Sequence, residues 1–101
     1  MNLPATLLMG GRTIDVIVTE ELITKADGKK VVGMFRPLTN AITVCNAHGK
    51  DDIAGEAFVH ELCEAADVIY DLKLPHQTIQ TLSAALYQAL SSGEVSFAKA
   101  A

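Results

Sequence analysis

His60-Glu61-Leu62-Cys63-Glu64 sets a histidine and a carboxylate four residues apart, with a second carboxylate directly after the histidine. On a helix four residues make about one turn, so His60 and Glu64 stand one above the other and can reach a single metal ion. The H-E-x-x-H motif of zinc hydrolases works this way: two ligands one turn apart hold the metal, and the Glu beside the first polarises the water. Here the last position is Glu, giving H-E-x-x-E. Carboxylate oxygen is an acceptable zinc ligand, and the harder, more anionic set also admits Mn2+ or another divalent cation. The expectation is a Zn2+ site on His60 and Glu64, with Glu61 as general base.

A catalytic zinc takes three protein ligands and keeps a fourth position open. Asp67 lies about 10.5 Å from His60 along the helix axis, at roughly 1.5 Å per residue. That spacing suits an outer acceptor for a ligand histidine or for water better than a direct bond. His76 follows the short segment Leu72-Lys73-Leu74-Pro75. A chain doubling back there carries its imidazole toward Glu64, which makes His76 the preferred third ligand over an ordinary helix-start histidine. His48 forms a Cys45-x-x-His48 pair ahead of the helix, a weaker signal more simply read as a solvated loop histidine.

These residues need a helix, and the sequence supplies one. From Asp51 on, Phe58, Leu62, Ala65, Ala66, Ile69 and Leu72 recur at three- and four-residue spacing and share one helical face. Asp51 or Asp52 can cap its start, and the helix should stop near Asp71 to Lys73, ahead of Pro75. A second helix is predicted from about His76 to Ser91, with Ile79, Leu82, Leu86 and Leu90 as its buried stripe and Ser91-Ser92-Gly93 as its stop. The first half alternates instead. Leu7 to Met9, Gly10-Gly11 and Arg12 to Val18 read as a β-hairpin. Val31 to Phe35 and Ala41 to Cys45 read as a second, joined by Arg36-Pro37-Leu38-Thr39-Asn40. Between them Asp27-Gly28 is a turn, and Glu20 to Ile23 is either a strand or one helical turn. The predicted architecture is one α+β domain. Its β-rich half, 1–48, packs on an antiparallel helix pair, 51–91, and the tail 93–101 carries no firm signal.

The charges point the same way. The chain of 101 residues holds 8 Lys+Arg against 12 Asp+Glu, for a formal net charge of −4. An acidic balance without a basic cluster argues against nucleic acid and anionic membrane as partners. No apolar run approaches the roughly 18 residues of a membrane span, and the start lacks the features of a secretory signal. A cytoplasmic protein with two reduced thiols, Cys45 and Cys63, is expected. Seven of the acids (Asp51, Asp52, Glu56, Glu61, Glu64, Asp67 and Asp71) fall between Asp51 and Leu72, where there is no Lys or Arg. Like charges one turn apart cost about 0.2–0.5 kcal/mol per pair. A divalent cation would relieve them, and Arg12 or Arg36 could do part of it.

The run from Phe58 to Leu90 resembles the small zincin-like metallopeptidases encoded by phages and bacteria. In these, an H-E-x-x-H or H-E-x-x-E helix is followed by a short turn and a second helix ending in a pattern like L-x-x-A-L-Y-Q-x-L. The matching pieces are His60-Glu61 with Glu64, Pro75-His76-Gln77, and Leu82 to Leu90. Gly33-Met34-Phe35 and Ile42-Thr43-Val44 are similar to the strand pattern before that helix. The resemblance implies zinc on His60, Glu64 and His76, Glu61 as general base, and a sheet whose edge strand borders the metal. A peptide or protein substrate would then lie antiparallel along that edge, for which Ala41, Ile42, Thr43 and Val44 are the predicted strand. No oxyanion donor is assigned, Tyr70 and Tyr87 being read as half-buried helix residues. Two other readings fit the residues: a metal centre that cleaves nothing, or an acidic helix face docking a basic partner protein, such as a host protein targeted by a phage.

Overall fold

Gly10 and Gly11 close the first hairpin with φ of 58° and 76°, backbone values that glycine adopts without steric cost and that a two-residue primed turn requires. In the computed structural model, which describes residues 1–47 and 52–94, they join β1 (Thr6–Met9) to β2 (Arg12–Thr19). The ambiguous segment that follows is extended. β3 (Ile23–Thr24) pairs antiparallel with β4 (Lys30–Val31) around a turn in which Gly28 N–H donates to Lys25 O at 2.9 Å. β5 (Gly33–Arg36) and β6 (Ala41–Cys45) form the second hairpin, with Asn40 in a left-handed conformation at φ 49°.

The main sheet has the order β1-β2-β6-β5. β6 therefore runs through its interior, parallel to β2 on one side and antiparallel to β5 on the other. This corrects the expectation that Ala41, Ile42, Thr43 and Val44 form an exposed edge. All four are buried and both sides of their strand are already paired, so no peptide can add there. The edge strand on this side is β5.

α1 spans Ile53–Ile69 and α2 His76–Ser92. Phe58 and Ala65 of α1 pack with Ile14, Ile42 and Val44 of the sheet, and Leu62 and Ile69 lie against that core. Burial on α1 also takes in Val59 and Cys63, beyond the predicted stripe, because the helix is covered by α2 as well as by the sheet. On α2 the predicted stripe holds in part. Ile79 is buried and Leu90 half-buried, but Leu82 and Leu86 are 44% and 41% exposed, and Ser83 is buried instead. The helix turns its 79-83-87 line toward α1, because polar contacts at Ser83 and Tyr87 cross between the helices. Among the described residues no helix is long and apolar enough to cross a membrane.

Asp52 ties three pieces of chain together. Its carboxylate accepts from Gly55 N–H at 3.1 Å as the α1 N-cap, from the Tyr87 hydroxyl at 3.0 Å, and from the Met1 amino group at 3.0 Å. Burial pushes its pKa up, but these three donors outweigh burial and hold it below the usual carboxylate value. A carboxylate with a depressed folded pKa stabilises above its unfolded pKa and loses that contribution as the pH falls through the folded one. Asp52→Ala is expected to cost about 1–2 kcal/mol in denaturant unfolding near neutral pH. The difference from wild type should shrink once the pH drops below about 4.

Candidate active site

α1 stacks His60 and Glu64 one turn apart, with His60 Nε2 at 3.4 Å from Glu64 Oε1. The chain then leaves the helix through a tight reversal. Asp71 and Lys73 take left-handed φ values of 51° and 54°, and Leu72 N–H donates to the Asp67 carbonyl at 3.0 Å. Asp67 also accepts from Leu74 N–H through its carboxylate at 2.7 Å. Its side chain thus braces the turn that aims α2, rather than facing a histidine or water as the sequence suggests. The first residue of α2 is His76, and its Nδ1 lies 3.6 Å from the same Glu64 Oε1. The two imidazoles approach edge to face, with ring centroids 6.0 Å apart and planes at 72°.

Among the described residues no group of three or more His, Cys, Asp or Glu side chains stands gathered closely enough to hold a metal ion. Two of the three donor spacings nonetheless lie near what one ion would need. Two bonds of about 2.0–2.1 Å to a tetrahedral ion place their donor atoms roughly 3.4 Å apart. The His60–Glu64 pair already has that spacing at 3.4 Å. His76 is slightly wide at 3.6 Å, and with 69% of its side chain exposed it has room to turn. The other ring nitrogen of His60, Nδ1, lies 3.2 Å from Ser83 Oγ on α2.

Glu61 points the other way, toward β5, and is 9% exposed. Burial, then the neighbouring Glu64 charge, pushes its pKa up to about 7, against the opposing pull of the Phe35 backbone amide and Lys25. Gly33 is what lets β5 come so close. A Cβ there would lie 3.2 Å from Ala57 Cβ and from Cγ and Oε2 of Glu61, tight enough to crowd the carboxylate. A cavity of about 400 Å³ opens beside it, with Val31, Val32, Gly33 and Ile53 on its walls and His60 and Glu61 at its base. The carboxylate and the histidine thus share one largely apolar recess.

The remaining candidates are elsewhere. Tyr70 Oη accepts from Gly10 N–H at 2.9 Å and Tyr87 donates to Asp52, so both tyrosines are committed to the fold. Arg36 donates to Thr43 Oγ1 at 3.4 Å. Among the described residues the ion pairs made by α1 and its cap come from the Met1 amino group, His60 and His76, not from Arg12 or Arg36. Cys45 and Cys63 are buried free thiols. His48, and with it the Cys45-x-x-His48 pair, lies outside the described residues. Sequence reasoning misses Ser83, whose one signal is a polar residue four positions after Ile79, in line with it on the helix. Comparison with known proteins finds no family model, no curated protein and no solved structure that matches the chain.

Proposed function

We propose that the chain is a zinc-dependent hydrolase acting on peptides or proteins, similar to the small zincin-like metallopeptidases. The observation that carries this reading is the placement of Glu64 Oε1 between His60 Nε2 and His76 Nδ1, at 3.4 and 3.6 Å, with Glu61 in the adjoining recess. His60, Glu64 and His76 would hold a divalent cation, Zn2+ in the first instance and Mn2+ as the alternative that two nitrogens and one carboxylate also admit. When bound, such an ion supplies Lewis acidity and makes a water nucleophilic near neutral pH.

The rest belongs to the chain's own residues. Glu61, held against the Phe35 amide in that recess, would take a proton from the attacking water and return it to the leaving amine. β5, the edge strand, replaces β6 as the strand along which an extended substrate would lie. The apolar walls of the recess, Val31, Val32 and Ile53, would receive one of its side chains.

The docking reading is weakened by what the acids do. Asp52 caps α1, Asp67 braces the turn, Glu61 is buried and Glu64 sits between two histidines. Among the described residues that leaves Glu56 and Asp71 as the exposed acids of the stretch, a thin surface for a basic partner. Melting curves test the metal-site reading directly. Zinc at about 100 times its Kd contributes about 2.7 kcal/mol by mass action. For a chain of this size that is a rise in Tm of about 10 °C or more, reversed by a chelator. A Tm that neither zinc, manganese nor chelator moves would rule the reading out.

A further inference from the structure

We propose that Ser83 is a positioning residue for His60. It holds the imidazole in the tautomer with its proton on Nδ1, so that the Nε2 lone pair faces Glu64 and His76. The inference rests on His60 being a metal ligand, and it adds a residue on the second helix to that site.

Ser83 occupies a position on α2 that the packing would otherwise give to an apolar side chain. It is 4% exposed, and it faces α1 in line with Ile79. Its hydroxyl donates to the Gln80 carbonyl at 3.1 Å and lies 3.2 Å from His60 Nδ1. A serine hydroxyl has one proton and two lone pairs. With the proton on Gln80 O, the oxygen offers His60 a lone pair, and Nδ1 must be the N–H. The reverse arrangement, in which the hydroxyl donates to a bare Nδ1, gives up the Gln80 bond.

The competing partner is the Glu64 carboxylate at the other end of the ring. His60 Nε2 is 3.4 Å from Glu64 Oε1, beyond the ordinary N–H···O range of about 2.7–3.2 Å. A neutral imidazole carries its proton on one nitrogen only, and the hydrogen bond at that nitrogen decides which one is left to bind metal. Without Ser83 the ring is free to protonate at Nε2 and donate to Glu64, which removes a ligand from the site before any metal arrives.

Imidazole 15N spectra of the metal-free protein at about pH 8, where a histidine is neutral, test this without reference to activity. Wild-type His60 should show a pyrrole-like Nδ1 and a pyridine-like Nε2. Ser83→Ala should shift the population toward the Nε2–H form and weaken zinc binding, measured by chelator competition, by about 10–100-fold. Ser83→Thr, which keeps the hydroxyl, should recover most of that loss. A wild-type His60 protonated at Nε2, or a Ser83→Ala protein with unchanged tautomer and unchanged zinc affinity, overturns the proposal. Should Ser83→Ala fail to fold, the wild-type tautomer still decides the point. Failure of the wild type to bind zinc or manganese overturns the reading of function instead, and the spectra of the metal-free protein separate the two.

Discussion

Glu61→Gln should lower peptide hydrolysis by about 10²–10⁴-fold, the range that a positioned general base contributes, while leaving zinc stoichiometry unchanged. Gln has the shape of Glu and keeps an oxygen for the Phe35 amide, but it cannot take a proton from water. The same substitution should stabilise the metal-free protein. Glu61 is buried beside Glu64, and its pKa is raised from 4.5 to about 7. Above that value the fold carries a poorly solvated carboxylate. Each tenfold change in proton affinity is worth roughly 1.4 kcal/mol, so an amide in its place relieves about 1–3 kcal/mol at pH 8. Loss of activity with gain of stability is the pattern of a strained functional group. Hydrolysis of a fluorogenic peptide mixture and denaturant unfolding of the metal-free proteins read the two effects. Activity that survives the substitution removes Glu61 as the base. A variant less stable than wild type removes the argument from burial.

His60→Ala and His76→Ala should each weaken zinc binding by more than the 10–100-fold ascribed to residues behind a ligand, because each deletes a donor outright. Both are half-exposed or exposed, with side chains 28% and 69% accessible, so neither substitution opens a cavity and both variants should fold. Glu64→Ala should be the most damaging of the three. Its Oε1 is the atom nearest to both imidazoles, and removing it leaves two neutral ligands with no anionic partner. Competition against a chromophoric chelator measures all three. An affinity unchanged in His76→Ala would take the third position away from His76, and an affinity unchanged in His60→Ala would end the metal-site account.

What can be read from the sequence is what depends on neighbours in sequence. Gly10-Gly11 marks its turn because two positive φ angles are needed there, and Asp52 and Gly93 mark helix ends because orphan backbone groups need partners. The separation of His60 from Glu64 is set by helical pitch alone. His76 can be placed near them because Pro75 and the short preceding segment leave the chain little choice of direction. Features that depend on distant pairing are not legible. Nothing in Ala41 to Cys45 says that β2 will return beside it in parallel, so an interior strand looks like an edge. Its largely apolar character, broken only by Thr43, suits an interior strand and is the signal that points the other way. On α2, apolar spacing favours Leu82 and Leu86. The helix instead rotates to satisfy Ser83 and Tyr87, a cost in apolar burial that periodicity does not register. For Asp67 the sequence offers only its distance from His60, whereas its role is set by an unpaired amide at Leu74.

Crystals grown with zinc and measured at its absorption edge test the metal site most directly. One anomalous peak is expected, lying about 2.0–2.2 Å from His60 Nε2, from a Glu64 oxygen and from a nitrogen of His76. A map with no peak beside His60, or with zinc bound elsewhere while His60 and Glu64 keep their contact with one another, would contradict it.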